Sequence, residues 1–494
     1  MSAVFPTRAP WAVPAKTGKA HIMRRVIRSA AIVSMDDGIG TLPQGDILIE
    51  DDWIVDVAPR IDVEDAEEID ARHMIAIPGL VNAHNHLWHT ILRGVGGDFV
   101  GSDYYKYLQG GLAPLYTPED LHVALRFGAL AQIDGGTTTH FEWCHNTRTP
   151  DHTDAAIDGL LKAGIRGVFG HGTLKPEPKP GEPHFSEVPH PRAEVERIRS
   201  GALASDDLLG LALCILGPDY STMEVCRQDF ALARELDVVS SAHIWGRANR
   251  MVSGGYKTLA AEGLIPPKHN AVHGNYIDDE EIRVLVEHGA TITATPPAEI
   301  RGHGGPPLVS RVAAAGGRPS IGNDGEMCFV GNMFETMRLS LQVQRLYDNI
   351  AQQRANDAAA ATAGQPGNLK TIGTGGSVFD VTSVKTLDAL RWATLNNAAV
   401  MGLDHKVGSL TPGKQADIVM LRRRDMNLAP AISPLDTVVA FANCNNVDTV
   451  MIAGKIRKQA GRLVDEPELE TLQDEIVERS LRLIDEAGFP ELIR

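Results

Sequence analysis

The sequence predicts an α/β protein: a TIM-type (β/α)8 barrel joined to a small β domain built from both ends of the chain. Three observations lead there. Segments with β patterning stand near both ends of the chain. Between them, short apolar runs alternate with amphipathic helical stretches, the pattern of a parallel sheet wound with helices. Several of those apolar runs end in histidine or aspartate, and a barrel carries its chemistry at the C-terminal ends of its strands.

From 23 to 77 the texture is short β: "RRVIRSAAIVSM", "GDILIEDDWIVDVAP" and "HMIAIPGL", with turn residues between. The alternation over 46–58 suits strands with one wet face. Matching pieces return late, at 416–422 ("ADIVMLR") and 447–455 ("VDTVMIAGK"). Residues 23–77 and 408–461 are therefore expected to form the β domain, and 78–407 the barrel. Within the barrel, helical stretches at 119–134, 152–163 and 223–236 are followed by the strand-like runs "GTTTHFEW", "GIRGVFGHG" and "VVSSAHIW". Then come "KHNAVHGNY", "ATITATPP" and "RPSIGND". The count of βα units suits a closed barrel better than an open sheet. Residues 348–376, Ala/Gln-rich and then Gly/Thr-rich, read as an insertion, a helix end followed by a loop. It is either a cover over the barrel mouth or a segment without a role. Residues 1–22 read as a tail. Residues 462–494 read as a charged amphipathic helix, a packing or oligomer surface.

The 494 residues are 43% hydrophobic, enough for a large core. A net charge of -16 repels phosphate backbones and anionic lipid, which disfavours nucleic acid and membrane as partners and leaves a small-molecule substrate. The five cysteines (Cys144, Cys214, Cys226, Cys328 and Cys444) form no close pairs. That pattern suits free thiols in a reducing compartment. No run approaches the roughly 18 apolar residues of a membrane span, and the first twenty residues lack a signal-type apolar region. A cytoplasmic location is expected.

The chemistry gathers at strand ends. His84 and His86 close the run "PGLVNAHNH", and i,i+2 residues of a strand face the same side. His243 ends "DVVSSAH", His273 ends "HNAVH" and Asp324 ends "RPSIGND". Imidazoles and a carboxylate converging on one barrel mouth make a divalent-metal site. Other strand ends offer substrate-binding candidates: Trp88 and His89; Glu142, Trp143 and His145; His171; Trp245 and Arg247. The three tryptophans either line an aromatic slot or pack between helices and barrel. Arg93 either contacts substrate or caps a helix. Nothing marks a serine or cysteine nucleophile.

"PGLVNAHNHLWHTILRG", "VHGNYIDDEEI", "SIGNDG" and "TLNNAAVMGLDHKVGSLTPGKQADIVML" resemble the hallmarks of the amidohydrolase superfamily. The branch that the chain looks most like is that of cytosine and guanine deaminases and triazine hydrolases such as atrazine chlorohydrolase. The likeness runs from about 24 to 461 and implies one Zn²⁺ or Fe²⁺, held by His84, His86, His243 and Asp324. His273 matches the family histidine that ligates the metal or contacts the reacting group. The resemblance also implies a homo-oligomer.

One position departs. Deaminases of that branch carry a proton-shuttling glutamate three residues after the histidine matching His243, and here Gly246 stands there. Glu326 and Glu142 are conceivable substitutes. In this mechanism the metal activates a water, Asp324 takes its proton, and His273 stabilises the oxyanion or protonates the leaving group. The lost glutamate favours cleavage of an amide, carbamate or urea-like C–N bond in a small, partly aromatic molecule. The branch itself favours deamination or dechlorination of a heteroaromatic ring. An isomerase or decarboxylase, and a non-catalytic metal-binding protein, are the remaining alternatives.

Overall fold

The computed structural model describes residues 23–176, 180–204, 206–245, 250–363 and 382–493. Two sheets organise them. The first takes β1 (Arg24–Val33), β2 (Thr41–Glu50), β3 (Trp53–Ala58), β4 (Glu67–Asp70) and β5 (Met74–Pro78) from the N-terminal part. The second holds β6 (Leu80–His86), β7 (Thr137–Cys144), β8 (Arg166–Gly172), β9 (Leu209–Cys214) and β10 (Val239–Ile244). It continues with β11 (His269–His273), β12 (Thr291–Ala294), β13 (Ser320–Ile321) and β14 (Asp324–Gly325). The chain then returns to the first sheet with β15 (Ile418–Arg422), β16 (Val447–Ile452), β17 (Lys455–Gln459) and β18 (Arg462–Leu463).

The first sheet runs β18-β17-β16-β15-β5-β1-β2-β3, with β4 beside β1. Its two halves meet where β5 and β15 pair antiparallel, Pro78 opposite Ile418 and Met74 opposite Arg422. Ile27, Ile32, Ile47 and Ile54 from one chain end bury against Ile418, Met420 and Met451 from the other. Neither end covers that apolar surface alone.

The second sheet is parallel, in the order β13-β12-β11-β10-β9-β8-β7-β6-β14. β13 pairs with β12 and β14 pairs with β6, yet both lie within the single stretch 320–325. One segment therefore bonds to both edges, and the sheet closes as an eight-position barrel. Every residue of β6, β7, β8 and β11 is buried. That accounts for their continuous apolar and small-polar runs.

Helices begin where a side chain can accept the free backbone N–H groups of the first turn. Thr117 caps Pro118–Asp134, Thr149 caps Pro150–Ala163, Thr222 caps Met223–Glu235 and Asp278 caps Asp279–Glu287. The three helical stretches expected from periodicity match the first three of these within two residues at each end. β9 carried no expectation: "LGLALC" is as suitable for a helix as for a strand. The long helix Met333–Ala363 covers the start of the expected insertion 348–376, and the remainder, 364–376, falls outside the described residues. The tail expectation for residues 1–22 likewise lies outside them.

The C-terminal helix Leu469–Ala487 is a packing element. Leu472, Ile476, Leu483 and Ile484 are buried, and Arg479 and Arg482 pair with the fully buried Asp120 on the helix Pro118–Asp134. No described helix is long and apolar enough to cross a membrane. The five cysteines are free.

Candidate active site

β6 places His84 and His86 on the inner side of the barrel, and β10, β11 and β14 bring His243, His273 and Asp324 to the same point. His84 Nε2 lies 3.3 Å from Asp324 Oδ1, and His86 Nε2 lies 3.3 Å from the same oxygen. His84 Nε2 also faces His243 Nε2 at 3.3 Å. Ligand atoms of His84, His243, His273 and Asp324 all lie within 4.8 Å of one another. His86 is outside that mutual set but shares the Asp324 oxygen, while its Nδ1 meets the Trp143 carbonyl at 2.6 Å. A histidine ligand is oriented in this way, its far nitrogen held by a carbonyl.

Two residues of the cluster sit in left-handed backbone, His273 at φ 64° and Asp324 at φ 69°. Close packing beside them is equally demanding. A Cβ on Gly322 would come within 2.5 Å of the His84 carbonyl oxygen and 2.8 Å of its Cβ. Only glycine lets the eighth barrel position approach the first histidine so closely.

The electrostatics suit a cation. Burial lowers the pKa of His84 to about 4 and holds His243 and His273 well below the usual imidazole value, so these rings are neutral at pH 7. Burial pulls Asp324 upward, but hydrogen bonds from His84 and His86 hold it well below the usual carboxylate range. His84 Nε2 faces both His243 Nε2 and Asp324 Oδ1 at 3.3 Å, and a single N–H there can serve only one of them. A divalent ion among the three would satisfy both imidazoles together with the carboxylate, so the donor set fits such an ion.

The cluster opens into a cavity of about 500 Å³. Of the residues expected to bind substrate, His89, His145 and Trp245 line it. Both ring nitrogens of His89 are buried without a partner. His145 Nε2 meets Gln109 Nε2 at 2.7 Å. Trp245 holds its backbone N–H on Asp219 at 2.6 Å.

Four other expected residues stand outside the lining of this cavity, each packed among neighbours. Trp88 packs against Tyr116, fully buried. Trp143 backs the cluster, its ring 4.3 Å from that of His243. His171 meets His190 at 3.0 Å. Glu142 accepts the Leu87 backbone N–H at 2.8 Å, and burial pushes its pKa well above the carboxylate range. Glu326, the other conceivable proton shuttle, is buried among Asn85, Thr90, Gln132 and Arg93, behind the metal-facing residues. Arg93 thus pairs with Glu326 and stands at the C-cap of the short helix Leu87–Leu92, its backbone N–H on the Thr90 carbonyl at 3.1 Å. Gly246 and Arg247 lie outside the described residues.

Sequence reasoning missed several contributors. Tyr104 and Tyr105, in the irregular helix Tyr104–Leu112, join the lining with Lys175, Tyr220 and Arg301. Lys175 comes from a loop and the others from short or irregular helices, where no periodicity points to a site. Glu299 and Thr295 were also unmarked. Thr295 Oγ1 meets His273 Nδ1 at 2.6 Å, and Glu299 Oε1 accepts the Thr295 N–H at 2.7 Å and lies 3.9 Å from His273 Nδ1. Burial raises Glu299 to about 7.

The sequence profile of the amidohydrolase family matches residues 75–364 and 376–457. The 5'-deoxyadenosine deaminase of Methanothermobacter thermautotrophicus is 27% identical over 89% of this chain and 93% of its own length. The 5-methylthioadenosine/S-adenosylhomocysteine deaminase of Desulforudis audaxviator is 26% identical over 94% of this chain and 100% of its own. Among solved structures, an adenosine deaminase from Xanthomonas campestris with bound zinc superposes with a TM-score of 0.73 at 21% identity, covering 94% of this chain and 99% of the other. A mutant atrazine chlorohydrolase from Arthrobacter aurescens, complexed with zinc and atraton, gives 0.75 at 20% identity, covering 93% and 99%. With its profile matched over most of its length, the chain belongs to the amidohydrolase family and is a metal-dependent hydrolase.

Proposed function

We propose that this enzyme hydrolyses an exocyclic C–N bond of a heteroaromatic amine, releasing ammonia, with one divalent metal held by His84, His86, His243 and Asp324. The observation that carries the reading is the convergence of these four side chains with His273 at the floor of a cavity of about 500 Å³, a volume suited to a small ring system. The metal, Zn²⁺ or Fe²⁺, supplies Lewis acidity and lowers the pKa of water toward about 7. The chain's own residues do the rest. Both histidine contacts to Asp324 use Oδ1, so Oδ2 is the oxygen available to take a proton from the attacking water. His273, braced through Thr295 and Glu299, faces the ring and passes a proton to it or to the departing nitrogen. The deaminase relatives support this choice of bond.

A second reading rests on one position. Gly246 provides no carboxylate where deaminases of the resembling branch use one, which favours an amide, carbamate or urea whose leaving group needs less help. Ammonia release separates the two. Adenine nucleosides and aminotriazines should yield it, and failure on every ring amine with turnover of an amide, carbamate or urea would transfer the assignment. In this reading residues 78–407 are the catalytic barrel, residues 23–77 and 408–461 brace it, and the enzyme works as a cytoplasmic homo-oligomer.

The ligand assignment has its own test. His84→Ala and His243→Ala should each lose most of the bound metal and all measurable turnover, since three ligands hold the ion poorly. Full metal content by elemental analysis in both variants would refute it.

A further inference from the structure

The chain carries a net charge of -16, yet its cavity wall presents two cations, Lys175 and Arg301. Lys175 lies in the loop after β8. Its ammonium stands 4.5 Å from the centroid of the Tyr220 ring and 5.9 Å from that of Trp143. Among the described residues no carboxylate pairs with it. Burial alone acts on this ammonium, lowering its pKa to about 8, so it remains mostly protonated at pH 7. A partly buried cation without an anion is unfavourable, and aromatic faces offset only part of that.

The acids of the cavity do not supply the missing charge. Among the described residues only Asp98 and Asp324 line it; Asp98 is exposed and Asp324 is engaged by His84 and His86. The position of Lys175 is equally informative. The Trp143 ring neighbours both groups, its centroid 5.9 Å from the ammonium and 4.3 Å from that of His243. Lys175 lines the same cavity as His243, His273 and Asp324, so a ring held at those residues can turn a substituent toward it. Arg301 lies over Phe329 at 5.8 Å on an exposed residue, where it adds positive potential without a buried contact.

We propose that Lys175 is a specificity-determining residue that anchors an anionic group, so that the natural substrate is a ring amine bearing a carboxylate or equivalent anion. This rests on the cavity being the substrate site, as in the function proposed above. The pairing would neutralise Lys175 and discriminate against the uncharged analogue, which leaves the ammonium unpaired.

The test is calorimetric binding to the full-length, metal-loaded enzyme, with 2-aminopyridine and its carboxylate, 6-aminonicotinate, as the matched probes. Wild type should bind the carboxylate about tenfold or more tightly than the neutral ring. Lys175→Met should abolish that preference by weakening the carboxylate, Lys175→Arg should keep most of it, and Arg301→Gln should keep it at high salt. Equal affinity of wild type for both probes would overturn the proposal, as would no carboxylate binding at millimolar concentration. So would an equal loss for both probes in Lys175→Met, the mark of a packing role. If the preference and its loss are found but no ring amine is ever hydrolysed, the anion anchor stands and the deaminase reading fails.

Discussion

Asp324 and His273 hold left-handed backbone at φ 69° and 64°, which costs non-glycine residues on the order of 1–3 kcal/mol each and persists where the surroundings enforce it. Here two sets of contacts do so: the histidine contacts to Asp324 Oδ1, and the Thr295 bond to His273. The strain also dictates which variants are informative. Asparagine accepts left-handed backbone more readily than most residues, so Asp324→Asn and His273→Asn change the chemistry with little change in backbone energy. Each should keep a melting temperature near wild type while kcat falls about 10²–10⁴-fold, the usual contribution of a positioned acid or base. Activity within a few-fold of wild type in Asp324→Asn would show that another group takes the proton. At this scale the sequence disclosed the cluster because each member ends an apolar run. Lys175, Tyr104 and Arg301 stayed hidden because a loop and short or irregular helices leave no clear period, and only folding brings them to the cavity.

At the scale of elements, the two carboxylates once conceivable as proton shuttles prove to be fasteners. Glu142 holds the N–H of Leu87 and Glu326 holds Thr90 and Arg93, so both pin the short 3-10 helix Leu87–Leu92 that follows the first histidine pair. Glu326→Gln should therefore lower stability by about 1–3 kcal/mol, the cost of leaving buried donors without a partner. Its kcat should stay within a few-fold of wild type. Urea unfolding beside steady-state kinetics decides it, and a loss of kcat as large as that of His273→Asn with full stability would restore Glu326 to the chemistry. The capped helices were legible in advance because Thr and Asp at the N-cap, followed by apolar periodicity, leave a local signature. β9 was not, since leucine, alanine and glycine in "LGLALC" carry no strong preference until neighbouring strands bury them.

Across the whole molecule, the barrel and the first sheet are joined by a buried ion pair. Arg166 on β8 donates from Nε to Asp417 Oδ2 at 3.0 Å and from Nη2 to Oδ1 at 2.9 Å, with both side chains 1% exposed. Asp417 Oδ1 also accepts the Ala453 N–H at 2.8 Å, tying β8 to the ends of β15 and β16. The sequence separates these partners by 251 residues, so no local pattern could reveal them. The two-ended β domain was nevertheless visible, because "ADIVMLR" and "VDTVMIAGK" repeat near one end of the chain the β patterning of 23–77 near the other. Removing one partner strands a buried charge, whereas removing both substitutes apolar contact for the pair. Asp417→Ala alone should thus cost about 3–5 kcal/mol. Arg166→Met with Asp417→Leu should recover much of that loss, although the Ala453 N–H stays unpaired. Metal content and kcat of the folded fraction should remain near wild type in the double variant, since the pair lies away from the residues lining the cavity. Denaturant unfolding of the three proteins measures this, and a double variant as unstable as Asp417→Ala would mean that the bond to Ala453, not the ion pair, fastens the two sheets.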